Sequence, residues 1–143
     1  MASSKKLQEP EIAYLSGTDT GLLQLIESVR RGLSFQHFKK LMDSYSFSLA
    51  EWAHMLHVSD RTLQRLRNEK KSLDPVSSER VLEVHLLYLQ GAEVFGSAAN
   101  FDLWMQTPSL ALGGVVPKSL LDTGFGISLI KDELTRIEHG VLA

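Results

Sequence analysis

Apolar residues in this chain recur at intervals of three and four, and no segment of useful length alternates with a period of two. That rhythm lays one apolar stripe along each of a series of helices and leaves nothing to pair as strands, so the expected class is all-α. Leu22, Leu25, Ile26, Val29 and Leu33 make the first stripe, in a helix that starts near Thr20. Gly32 ends it and Ser34 caps the next, whose stripe is Phe35, Phe38, Leu41, Met42 and Tyr45. Ser48 opens a third helix, with Glu51 at the reciprocal capping-box position. Asp74 and Pro75 read as N-cap and first residue of a long helix over about 76–95, since proline lacks the N–H that would be orphaned there. Val81, Val84, Leu86, Leu87, Tyr88, Leu89 and Phe95 give that helix a wide apolar surface, expected to be buried on more than one side. Gly96 stops it. A short helix follows at 98–106 with Phe101, Leu103, Trp104 and Met105, then a helical turn from Pro117 to Leu121. The last helix, over about 125–138, carries Ile127, Ile130, Leu134 and Ile137 on one face, expected to be buried at a subunit or domain contact. Prolines and glycines make "TPSLALGGVVP" irregular, and "LGG" and "GFG" read as turns. Trp52, Trp104 and the phenylalanines lie on helical stripes and read as core.

A chain of 143 residues holds one domain or two small ones, and 43 % hydrophobic residues suffice for a core. No apolar run approaches the ~20 residues of a membrane span. Residues 1–18 are polar and irregular, expected to be a flexible arm. Their two lysines precede no apolar stretch, unlike a secretory signal. Without cysteine there is no disulfide frame and no thiolate metal site, which suits a reducing, cytoplasmic setting. The net charge of −2 means that any nucleic-acid binding must come from a local patch.

One stretch has such a patch. "LAEWAHMLHVSDRTLQRLR" carries the spacing of a helix-turn-helix: Trp52, Leu56, Val58, Leu63 and Leu66 bury one small shared core, and Ala53 is small where the two helices approach. The turn usually holds glycine because its backbone takes a positive φ. Here it is His57, one of the more tolerant side chains in that region. Ser59 or Asp60 caps the second helix, and Arg61, Thr62, Gln64 and Arg65 fall where this motif meets the major groove. Between Ser59 and Lys71, five cations (Arg61, Arg65, Arg67, Lys70, Lys71) face two carboxylates (Asp60, Glu69). Phosphate contact needs such an excess, and arginine also reads guanine. The expected DNA-binding set is Ser59, Arg61, Thr62, Gln64, Arg65 and Arg67, and the alternative is a solvated helix face.

Nothing in the sequence points to catalysis. No nucleophile sits in a G-x-S-x-G motif, and no glycine-rich phosphate loop follows a strand. His54 and His57 are spaced to share a metal, but no cysteine or carboxylate completes a ligand set, so a structural or surface role is expected. His37, His85 and His139 are scattered. The expectation is a non-enzyme without cofactor or metal.

The second half carries a set of ordered motifs: "EVFG" (Glu93–Gly96), Trp104 with "TPSLALGG" (Thr107–Gly114), Pro117 with "LLDTGFG" (Leu120–Gly126), and the terminal "RIEHGVLA". In order and spacing this resembles the C-terminal domain of the Xre/MbcA/ParS antitoxin family, in which a helix-turn-helix domain precedes it. The resemblance implies three parts: an N-terminal arm (1–18), a helix-turn-helix domain (19–73), and a C-terminal dimerisation and toxin-binding domain (74–143). It also implies a homodimer that neutralises a cognate RES-domain toxin, which depletes NAD⁺, and that represses its own promoter on operator DNA.

The end of the chain then has two readings. Gly140 caps the last helix, and beyond it Val141 and Leu142 with Ile137 either close a dimer core or enter a cleft of the toxin, with Arg136, Glu138 and His139 at its mouth. The resemblance favours toxin contact by residues Arg136, Ile137, Glu138, His139, Gly140, Val141 and Leu142. The alternative function is a stand-alone dimeric transcription regulator whose C-terminal half senses a ligand or only dimerises.

Overall fold

The computed structural model describes residues 19–140, so the expected arm (1–18), Val141 and Leu142 lie outside the described residues. Among the described residues seven α-helices follow one another: α1 (Asp19–Arg31), α2 (Phe35–Ser44), α3 (Leu49–Leu56), α4 (Asp60–Glu69), α5 (Pro75–Phe95), α6 (Ala98–Met105) and α7 (Gly124–Glu138). Two single 3₁₀ turns, Leu110–Leu112 and Pro117–Leu120, lie between α6 and α7. No strand occurs among the described residues; Ser109 and Val115 form one isolated bridge that closes the loop around Gly113 and Gly114.

Local chemistry sets most helix starts. The side chains of Ser34, Ser48, Ser59, Asp74, Ser97 and Thr123 each accept a hydrogen bond from the backbone N–H three residues on. Each satisfies a donor that the helix itself leaves unpaired. The capping box at Ser48 is complete: Glu51 N–H donates to Ser48 Oγ at 3.0 Å, and Ser48 N–H donates to Glu51 Oε1 at 2.9 Å.

The long helix α5 is the centre. Val81, Val84 and Leu87 are wholly buried, and Leu82, His85 and Tyr88 nearly so. Helices α1 and α3 pack on it, as do α6 and α7. One continuous apolar cluster runs from Leu33 and Phe38 through Trp52 and Leu63 to Phe101, Leu121 and Leu134. Two bonds stitch the start of α5 to the end of α1. Leu73 N–H donates to the Leu33 carbonyl at 2.9 Å, and Leu33 N–H donates to Ser78 Oγ at 2.7 Å.

Four expectations change. Leu22 and Ile26 of the first stripe are 56 % and 41 % exposed, because α1 lies over α5 with Leu25, Val29 and Leu33 of that stripe turned to the core. "GFG" is no turn but the first turn of α7. Gly126 is buried there because a Cβ would collide with the Leu120 carbonyl. Phe125 is not core: it is 91 % exposed, on the side of α7 away from Ile127, Ile130 and Leu134. Those three are buried within the same chain, whereas Ile137 at the end of the stripe remains 37 % exposed.

Leu134 has no exposed surface. Leu134→Ala is expected to cost ~2–5 kcal/mol in denaturant unfolding, and Leu134→Asp to abolish the cooperative transition. A Leu134→Asp protein with an unchanged melting temperature would place that face in water. Gly126→Ala should destabilise through displaced backbone, while Gly124→Ala, whose Cβ meets nothing, should not.

Candidate DNA-binding and toxin-binding surfaces

The helix-turn-helix is α3, its turn, and α4. Trp52, Ala53, Leu56 and Leu63 are buried between the helices and the rest of the core, with Val58 and Leu66 partly so. His57 takes φ 59° and ψ 39°, the left-handed conformation that the motif demands. Its N–H still donates to the His54 carbonyl at 3.2 Å, and the Val58 N–H to that of Ala53 at 3.0 Å. Ser59 caps α4: its Oγ accepts from Thr62 N–H and lies 3.0 Å from Thr62 Oγ1. These two hydroxyls, placed in the expected DNA set, thus serve the helix start.

Arg61, Gln64 and Arg65 are exposed on α4, and Arg61 and Arg65 lie one turn apart. Asn68 shares their face, three residues beyond Arg65 and four beyond Gln64. It is a residue that the sequence reading passed over although the helical spacing names it. Arg67 points elsewhere. With Lys70, Lys39, Ser34, Phe35 and Gln36 it lines a hollow of ≈ 410 Å³. Lys70 itself has a left-handed backbone, φ 53°, where α4 ends. Lys71 is paired with Glu69 at 3.4 Å, whereas Arg61, Arg65, Arg67 and Lys70 carry no ion pair among the described residues.

A polar seam joins α3 to the segment before α7. His57 Nε2 lies 2.7 Å from the Asp122 carbonyl oxygen, and His54 Nε2 lies 3.7 Å from Asp122 Oδ2. The two histidines meet one loop residue, a structural use that their spacing alone did not reveal. Lys118 Nζ pairs with Glu51 Oε2 at 3.1 Å, donates to the Ser46 carbonyl at 3.3 Å, and sits 4.9 Å over the Phe47 ring. Partial burial pushes the Glu51 carboxyl up, but the Ser48 N–H and Lys118 outweigh it, and the net shift is downward. Further along, Asp102 accepts from Ser46 Oγ at 2.7 Å and from the Tyr88 hydroxyl at 3.1 Å.

The expected toxin-binding residues end α7. Arg136 Nε pairs with Glu133 Oε1 at 3.1 Å, so it lies along its own helix. Glu138, His139 and Gly140 are exposed, and Gly140 takes φ 71° with its N–H on the Ile137 carbonyl at 3.1 Å. Val141 and Leu142 fall outside the described residues. The structure adds apolar surface: Phe125 and Leu129, one turn apart on α7, are 91 % and 42 % exposed, and Leu110 at the tip of its loop is 94 % exposed. The turn signals around Leu110 marked a loop; nothing local marked Phe125 as outward-facing.

Residues 24–84 match the antitoxin Xre-like helix-turn-helix domain, and residues 90–140 match the antitoxin Xre/MbcA/ParS C-terminal toxin-binding domain. The chain is 29 % identical to an Antitoxin Xre of Yersinia enterocolitica over 83 % of this chain and 81 % of the relative. It is 26 % identical to a Prs ADP-ribosylating antitoxin of a Sphingobium species, over 94 % and 90 %. With an Antitoxin Xre of Photorhabdus laumondii the identity is 24 %, over 80 % and 78 %. Two matched domains in this order, on a fold that puts bare cations on one helix and bare apolar side chains on another, make the chain a member of the Xre/MbcA/ParS antitoxin family, the antitoxin of a toxin–antitoxin system with a helix-turn-helix and a toxin-binding domain.

Proposed function

We propose that this antitoxin neutralises a RES-domain toxin that depletes NAD⁺, and that as a homodimer it represses its own promoter through α4. The observation that supports both halves is the division of exposed chemistry: unpaired arginines on α4, unpartnered Phe125 and Leu129 on α7. Arg61, Gln64, Arg65 and Asn68 form the base-reading face, and Arg67 with Lys70 contacts phosphate. On the other side, Phe125 and Leu129 supply apolar contact area. The exposed end of α7, from Arg136 to Gly140, leads Val141 and Leu142 into the toxin's cleft. Aromatic anchors of this kind carry much of the energy of protein interfaces.

The DNA half is tested by footprinting and by binding isotherms. Two similar half-sites are expected, their centres roughly 34 Å apart or a multiple of it. Arg65→Ala should cost ~1–3 kcal/mol and relax preference at one base. Arg67→Ala should instead weaken all sequences alike and reduce the salt dependence. Equal affinity of the wild type and an Arg61/Arg65 double-alanine variant would end the assignment of α4 as reader.

The toxin half is tested by NAD⁺ consumption by the RES-domain protein encoded beside this chain, at equimolar antitoxin. Deleting Gly140 to Ala143 should preserve the melting temperature and DNA binding but weaken neutralisation. Phe125→Ser, at a site with no core contact, should do likewise. Full neutralisation by the truncated protein combined with failure of Phe125→Ser would move the inhibitory contact from the chain end to the start of α7. A neighbouring frame with no RES-domain product, together with intact operator binding, would favour a stand-alone regulator.

A further inference from the structure

The left-handed turn of the helix-turn-helix explains why glycine is the usual residue there, but not why this chain has histidine. The imidazole supplies a reason. Its Nε2 lies 2.7 Å from the carbonyl oxygen of Asp122, a residue 65 positions on and next to Thr123, the N-cap of α7. A carbonyl oxygen only accepts, so Nε2 carries the proton and donates. The αL backbone aims the ring out of the turn; no glycine could make the bond. His54, one turn earlier on α3, meets the Asp122 carboxylate at 3.7 Å, and Glu51, a further turn back, meets Lys118 at 3.1 Å. Two positions on α3 and one in the turn after it, spaced three apart, thus touch one five-residue segment of the C-terminal half.

We propose that His57 is a positioning residue: its ring, and not only its turn backbone, fixes the recognition helix α4 relative to α7 and the toxin-binding half. This rests on the reading of α4 as the DNA-contacting helix of a dimer. The bond is exposed, so it adds little to global stability; what it removes is rotation of α3 and α4 against the 118–122 segment. Two recognition helices must meet successive major grooves at once, so each one's orientation on its protomer sets the effective concentration of the second contact.

The test compares His57→Gly, His57→Asn and His57→Gln in the full-length protein. Glycine and asparagine accept the αL turn, but neither presents a donor at the reach of Nε2; glutamine does, in a less favourable backbone. His57→Gly and His57→Asn should melt close to the wild type. On DNA with two half-sites they should bind about tenfold more weakly, while on a single half-site they change little. His57→Gln should recover much of the loss. Wild-type affinity of His57→Gly on the paired site would overturn the proposal, and so would an equal loss on single and paired sites, which is a damaged reading helix.

A second measurement stands apart from DNA. Residual dipolar couplings of the α4 and α7 amides should fit one alignment frame in the wild type and require two in His57→Gly. If the wild type binds neither DNA, the reading of α4 fails and the couplings alone decide the latch; one common frame in both proteins overturns it.

Discussion

Helix α5 buries nine of its 21 residues, and the rest of the chain packs round that buried part. Val81, Val84 and Leu87 are fully buried from different sides. Each side chain of that size contributes on the order of 1.5–3 kcal/mol when it leaves water, an upper figure because denatured chains already hide part of it. Apolar burial alone would not fix the rotation of such a helix. Its polar groups do that. Ser78 accepts from Leu33 N–H, His85 bonds the Tyr45 hydroxyl, and Tyr88 donates to Asp102. Burial first, and then the Asp102 carboxylate, pushes the Tyr88 phenol well above its ordinary range, so it remains a donor wherever the fold exists. Tyr45, Phe47, Phe101 and Tyr88 pack edge to face or tilted, which joins the helix-turn-helix side to the α6 side through one aromatic cluster.

The contacts around α3 differ in kind from that core. Glu51, His54 and His57 meet Lys118 and Asp122 in partly exposed ion pairs and hydrogen bonds. Such bonds add little to the free energy of folding and a good deal to orientation, because each requires a particular distance and direction. The exposed faces of α4 and α7 therefore sit on elements tied by a continuous apolar core behind and a directional polar seam in front. No helix among the described residues is long and apolar enough to cross a membrane.

How much of this was legible follows a physical line between local and distant partners. The caps at Ser34, Ser48, Ser59 and Asp74 were readable because donor and acceptor lie three residues apart. So was the positive φ at His57, which the motif imposes on whatever residue stands there. The breadth of burial of α5 could be read from its composition. The partner of His57 could not, because nothing in the neighbourhood of residue 57 specifies residue 122. Ile26 and Phe125 were misjudged for the same reason in reverse: their helical spacing is apolar, but which side is covered depends on elements elsewhere. "GFG" misled because glycine was taken for freedom of the backbone. At Gly126 it answers the close approach of the Leu120 carbonyl. Among the expected site residues, Ser59 and Thr62 turn out to hold each other, and Arg136 leans on Glu133.

The stitch between Leu33 and Leu73 has a topological meaning. Residues 34–72, which pack on α5, begin and end at two backbones in hydrogen-bond contact. The whole helix-turn-helix, α3 and α4, lies within that closed excursion, as a cassette with adjacent ends. Segments whose ends meet are the ones that lineages and engineers exchange most readily, since the host needs no new path for the chain. A replacement must keep the packing of Phe38, Phe47 and Trp52, the contacts of Tyr45 and Phe47 with His85 and Tyr88 of α5, and the acidic and imidazole groups that face Lys118 and Asp122. The face of α4 is bound by none of these. The exposed side chains of α4 can therefore change while the toxin-binding domain keeps its own sequence.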